Sequence, residues 1–98
     1  MIGAATILRA RPGRQKAIHE ALLDLAELTL GHEPGTLDLL IVQDTHDDCL
    51  FSICGRFANE AALDAHNNSD PMTRFLFFAR EMLDGPMNRV SGTTLFSV

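Results

Sequence analysis

Three Pro/Gly breaks divide this chain of 98 residues, and the hydrophobic period changes across them. Arg11-Pro12-Gly13 follows an apolar stretch, Glu33-Pro34-Gly35 follows a helical repeat, and Gly85-Pro86 follows a second helical repeat. Pro and Gly at these points stop one element and start the next. The order specifies a half-open sheet with helices on one face. It also sets His66 near the mouth of the space between sheet and helices.

The segments between the breaks read as follows. Ile2 to Ala10 mix β-branched and small apolar residues, which predicts a strand. Pro12 suits the first turn of the helix after it. From Arg14 to Leu30, apolar residues recur at Ile18, Ala21, Leu22, Leu25 and Leu28, the spacing of one helical face. Gly31 is a candidate C-cap, and Pro34 blocks resumption. Thr36 to Thr45 is the next predicted strand. Asp44 to Asp48 is a polar turn, and Cys49 to Ala58 returns as the third strand of a hairpin. Asn59 is placed to cap a short helix running to about Asn67. Asp70, as N-cap, and Pro71 restart a helix with the stripe Met72, Phe75, Leu76, Ala79, Met82 and Leu83. Phe77 and Phe78 widen that stripe beyond a usual core face. Asn88 to Val98 is the last strand. The expected class is α+β, a ferredoxin-like β-α-β-β-α-β order with an antiparallel sheet and a broken second helix. One domain over residues 1–98 accounts for the whole chain.

The run Leu39-Leu40-Ile41-Val42 is apolar on both faces of its strand, so both faces need cover. The chain's own helices supply one cover. A partner subunit is the natural candidate for the other.

The net charge of −5 argues against nucleic acid, whose phosphates need clustered Lys and Arg. Arg9, Arg11 and Arg14 form the only loose basic group, and a solvated helix entrance explains them. Cys49 and Cys54 fall on opposite faces of one predicted strand, so they do not pair with each other. Unpaired thiols fit a reducing compartment, and burial as small hydrophobes is their expected role. The N-terminal apolar stretch lacks a basic region and a cleavage site, and no run reaches membrane-spanning length. A cytoplasmic protein without membrane contact is the expectation.

The local strings resemble the antibiotic biosynthesis monooxygenase family of the dimeric α+β barrel superfamily. Arg11-Pro12-Gly13 is similar to that family's Lys/Arg-Pro-Gly, and Glu33-Pro34-Gly35 to its Glu-Pro-Gly. Ala62-Leu63-Asp64-Ala65-His66 followed by Ser69 is similar to its Ala-Leu-x-x-His-x-x-Ser. The resemblance implies a homodimer with sheets back to back. It also implies a cofactor-independent monooxygenase, using dioxygen on a small aromatic, quinol-like or polyketide-like substrate. Relatives of the same fold support two alternatives: an isomerase or other proton-transfer enzyme, and a non-catalytic small-molecule-binding dimer. Many members carry Glu-x-Trp where this chain has Gly55-Arg56-Phe57, and this chain has no Tyr or Trp. Haem-degrading relatives use Asn, Trp and His at positions that here fall on Thr6, Phe57 and near Leu76, so no haem is expected.

His66 is the candidate catalytic base, because an imidazole titrating near ~6.5 suits proton abstraction at neutral pH. The alternative is a structural histidine that caps its helix or is held by Asp70, four residues on. Thr6 and Phe57 match positions that line the cavity in relatives, and Phe57 is placed to stack on an aromatic substrate or to pack in the core. Phe75 and Phe78 belong to a cluster with more aromatic surface than a core face needs, so they are candidate substrate contacts. Arg56 is expected on the face opposite Phe57. His19 and His32 are expected at the surface. His46-Asp47-Asp48 has metal-friendly ligand types but no convergence, so no metal is expected.

Overall fold

The structure is a computed structural model and describes residues 1–97. Strand β1 spans Ile2–Arg9, helix α1 Gln15–Leu30, β2 Thr36–Gln43 and β3 Leu50–Phe57. Helix α2 spans Glu60–Asn67, α3 Asp70–Ala79, and β4 Asn88–Thr93. The strands form one antiparallel sheet in the order β2-β3-β1-β4. This is the expected ferredoxin-like α+β arrangement, with its second helix broken at Asn68 and Ser69. The last predicted strand is shorter than expected, and Val98 lies outside the described residues.

Side chains alternate across the strands, so register decides which residues meet the helices. Leu8 is opposite Phe51, Thr6 opposite Ile53 and Ala4 opposite Gly55, all on the helix side. Ile7, Ala5 and Gly3 point the other way with Ser52, Cys54 and Arg56. Leu8, Ala10, Ile18, Leu22, Leu25, Phe51, Met72, Phe75 and Ala79 form the core between sheet and helices. The opposite face keeps Ile7, Leu40, Val42 and Val90 exposed. Cys54 is exposed there too, rather than buried as expected, because its register sets it beside Leu40 and Ala5.

Several local readings shift. Pro12 does not enter the first turn of α1. The Arg14 N–H donates to the Arg11 carbonyl at 2.9 Å, and Gly13 has φ +89°, so Pro12 and Gly13 form a tight turn before the helix. The buried stripe of α1 is Ile18, Leu22, Leu25 and Thr29. Leu28 is exposed, because the next inward position after Leu25 falls on Thr29. Helix α3 stops at Ala79, well before Gly85, because β1 captures the chain beyond it. Ala10 pairs with Leu83, Arg11 N–H donates to the Met82 carbonyl, and Asp84 N–H to the Arg9 carbonyl. The loose basic group is used within the fold: Arg9 pairs with Asp47, and Arg11 Nε donates to the Leu83 carbonyl at 3.1 Å.

The Glu-Pro-Gly break has a steric role. A Cβ at Gly35 would lie 2.6 Å from the Cβ of Ala62 on α2. The Gly35 carbonyl also accepts from Ala58 N–H at 2.9 Å. Glycine therefore lets α2 rest directly on the start of β2. Gly35→Ala should destabilise the fold by about 1–3 kcal/mol, with partial recovery in Gly35→Ala/Ala62→Gly. Urea denaturation checks this; an unchanged midpoint in the single variant would refute the close-approach argument.

Candidate active site

Helix α2 is short and its inward positions are Ala62, Leu63 and His66. Asn59 starts it, its side chain accepting from Ala62 N–H at 2.9 Å. Ser69 ends the turn that follows. Its hydroxyl donates to the His66 carbonyl at 2.9 Å and accepts from Met72 N–H at 3.3 Å. Ser69, not Asp70, is therefore the N-cap of α3. The His-x-x-Ser spacing makes an elbow between two helices and turns the imidazole inward.

His66 is 5% exposed, and its Nδ1 lies 2.7 Å from Glu33 Oε1. Thr36 Oγ1 donates to the same oxygen at 3.0 Å. The carboxylate partner is Glu33 and not Asp70. The four-residue spacing to Asp70 crosses the break between α2 and α3, so the helical neighbour rule does not apply. Two of the three sequence strings thus meet in one contact. The Phe57 ring covers the imidazole, with centroids 5.2 Å apart at 42°.

His66 lines a cavity of about 50 Å³ between the sheet and α2–α3. Thr6, Phe57 and Phe75 line it too, with apolar walls from Leu39, Ile53, Leu63, Met72 and Leu76. Phe78 does not. It is exposed and lines a larger groove of about 360 Å³ between α1 and α3, with Asp24, Leu28 and Arg74. Among the described residues that groove carries no His, Ser, Thr or Cys, and its ionisable side chains are Glu20, Asp24 and Arg74. The surplus aromatic face of α3 is directed outward, where Arg80 lies 4.4 Å over the Phe77 ring.

Sequence reading missed Arg89, Asn67 and Met87 on the cavity wall. Arg89 is opposite Thr6 on β4 and is the one Lys or Arg among the described residues lining the cavity. Its phase is invisible in a strand of mostly small polar residues until the register with β1 is known.

Gly55 makes room for the Phe57 ring. A Cβ there would lie 2.9 Å from Phe57 Cε2, so the ring folds across the space a side chain at position 55 would take. Arg56 between them faces the opposite side, as expected, and pairs with Asp38 at 3.2 Å.

The other candidates lie elsewhere. His19 and His32 are exposed. In the turn before β3, Asp44 Oδ2 accepts from the N–H groups of His46 and Asp47, each at 2.9 Å. Ligand atoms of Asp47, Asp48 and Cys49 lie within 4.8 Å of one another, but Arg9 occupies Asp47 and Gln15 donates to Asp48 at 3.3 Å. The hydrogen bond from Arg9 holds the Asp47 carboxyl below the usual carboxylate range. Partial desolvation pushes the Cys49 thiol up, and the neighbouring Asp48 and Asp47 add to it, which opposes a reactive thiolate.

Residues 1–76 match the antibiotic biosynthesis monooxygenase family. The chain belongs to that family. A Nitrosomonas europaea protein bearing the same family name superposes with a TM-score of 0.92 at 18% identity, covering 98% of this chain and 100% of its own. A Caulobacter crescentus protein of that name has a TM-score of 0.89 at 19% identity, over 97% and 90% of the two chains. A Pseudomonas aeruginosa protein has a TM-score of 0.87 at 25% identity, over 97% and 94%. No curated protein matches the chain in sequence.

The His66–Glu33 contact holds the α2 elbow to the start of β2. Removing the imidazole leaves a mostly buried carboxylate with one donor fewer. His66→Ala should therefore lower unfolding free energy by about 2 kcal/mol. Equilibrium urea unfolding measures it, and a loss within error of zero would mean the contact carries no stability.

Proposed function

We propose that this family member is a cofactor-independent monooxygenase, with His66 as general base and a small electron-rich aromatic, quinol-like or polyketide-like substrate. The observation that carries this reading is a buried, carboxylate-paired imidazole opening onto an apolar cavity. Such walls exclude water, which favours proton transfer to a positioned base and protects an oxygen-sensitive anion.

The chemistry balances without a cofactor. His66 takes a proton from an acidified CH₂ or O–H, leaving the electron pair on the substrate. The anion passes one electron to dioxygen, and the substrate radical and superoxide join in a C–O bond. The peroxide then loses water with the proton returned by His66, so R₂CH₂ and O₂ become R₂C=O and H₂O. Arg89 supplies positive charge at the cavity wall to hold the anion. Thr6, Phe57 and Phe75 contact the substrate. The cavity of about 50 Å³ admits dioxygen, whereas a benzene ring occupies a site of roughly 150 Å³. Substrate entry therefore requires movement of Met72, Met87 and Leu76, side chains of which the methionines are the most adaptable.

The reading includes one domain over residues 1–98, a reducing cytoplasmic setting for the unpaired Cys49 and Cys54, and a homodimer. Among the described residues no helix is long and apolar enough to cross a membrane. The exposed face of Ile7, Leu40, Val42 and Val90 supports a second copy packed sheet to sheet.

Oxygen-electrode assays with a panel of anthrones and hydroquinones should show one dioxygen consumed per substrate. His66→Gln should reduce kcat by about 10²–10⁴-fold. Turnover without oxygen uptake would assign a proton-transfer enzyme such as an isomerase, and saturable binding without turnover would assign a binding protein. Light scattering at micromolar concentration should give the dimer mass, and Leu40→Asp should give the monomer mass. A wild-type monomer would remove the assembly from the reading.

A further inference from the structure

We propose that Glu33 is a positioning residue that holds His66 in its Nδ1–H tautomer, leaving Nε2 as the proton acceptor on the cavity side. This deepens the oxygenase reading and rests on its assignment of His66 as the base. Ionised carboxylates only accept hydrogen bonds, so an imidazole nitrogen 2.7 Å from Glu33 Oε1 must carry the proton. Thr36 Oγ1 donates to that same oxygen at 3.0 Å and fixes its direction. The imidazole also cannot turn freely, because the Phe57 ring lies against it.

Nε2 is left with a distinct position. It has no protein partner among the described residues, and it is absent from the buried polar atoms that lack one. It is therefore accessible, on a side chain that lines the cavity. In a neutral imidazole with Nδ1 protonated, Nε2 carries the lone pair. When a substrate proton moves to Nε2, the substrate O–H or C–H bond breaks and the Nε2–H bond forms. The electron pair stays on the substrate. The Glu33 carboxylate lies 2.7 Å from Nδ1 and offsets the charge of the new imidazolium. A residue at the start of β2 thus acts on the reaction without touching the substrate.

Nitrogen-15 NMR of the imidazole tests this independently of any turnover. Wild-type protein at a pH where His66 is neutral should show a pyrrole-type Nδ1 and a pyridine-type Nε2. Glu33→Gln should lose that signature in favour of mixed tautomers, because the amide offers both a donor and an acceptor. With a turned-over substrate, Glu33→Gln should lower kcat by about 10²-fold with little change in KM, and Glu33→Asp should restore part of it. Thr36→Val, which removes only the anchoring hydroxyl, should shift the spectrum in the same direction by less. If Glu33→Gln does not fold, the wild-type spectrum and Thr36→Val carry the test. A wild-type Nε2–H tautomer would overturn the proposal, as would an unchanged tautomer and kcat in folded Glu33→Gln. Absence of oxygen uptake with the expected tautomer would remove the oxygenase reading and leave the assignment of Glu33 standing.

Discussion

The contact between Glu33 and His66 joins two pieces of chain that are 33 residues apart and otherwise short and local. Helix α2 has only two turns, too few to hold itself by propensity alone. Its position comes from Gly35 packed against Ala62, from the Asn59 cap, and from the buried imidazole pulled toward Glu33. With α2 held, Ser69 starts α3 at a defined angle, and Met72, Phe75 and Leu76 become the cavity's far wall. If the contact were lost, the elbow and the cavity would lose a common anchor. The imidazole that lines the cavity is therefore also a structural tie.

What the sequence made legible follows from the range of each signal. Period and punctuation are local, so the element order, the sheet and the open apolar face were all readable from the run Leu39 to Val42 and the Pro/Gly breaks. Helix ends set by distant pairing were not. The stripe of α3 continues through Met82 and Leu83, yet the chain there is drawn into a bridge with Ala10. The site divides the same way. His66, Thr6, Phe57 and Phe75 were recognisable as positions, whereas the partner of His66 was sought nearby at Asp70 and lies at Glu33. Arg89 required the β1–β4 register, and Phe78 required the rotation of α3 about its axis.

Gly55 and Phe57 act together in this structure, because the Phe57 ring needs the space that a side chain at position 55 would fill. A carboxylate at position 55 would project into the cavity, where burial is costly without a partner. With glycine there, the Phe57 ring turns over the vacated space and meets His66. The charge around the cavity sits at Glu33 behind the imidazole and at Arg89 on β4. His66 lines the cavity wall, and among the described residues no carboxylate lines it.

Strand β3 carries this division to the rest of the molecule. Phe51, Ile53, Gly55 and Phe57 face the core and cavity, while Ser52, Cys54 and Arg56 face the open side. Because side chains alternate strictly along a strand, a substitution on one face leaves the other face's residues in register. Cavity shape can therefore change at positions 55 and 57 while the open face keeps its apolar surface and its Arg56–Asp38 pair. The two faces meet only through the backbone they share, and a β-bulge is the kind of change that would couple them. The register shift between Thr36 and Asp38 is such a point. It lies beside Gly35 and Thr36, so the strand start that orients Glu33 is also where the open face begins. The cavity on one side of the sheet and the open apolar face on the other are thus separable along β3 and joined at the first residues of β2.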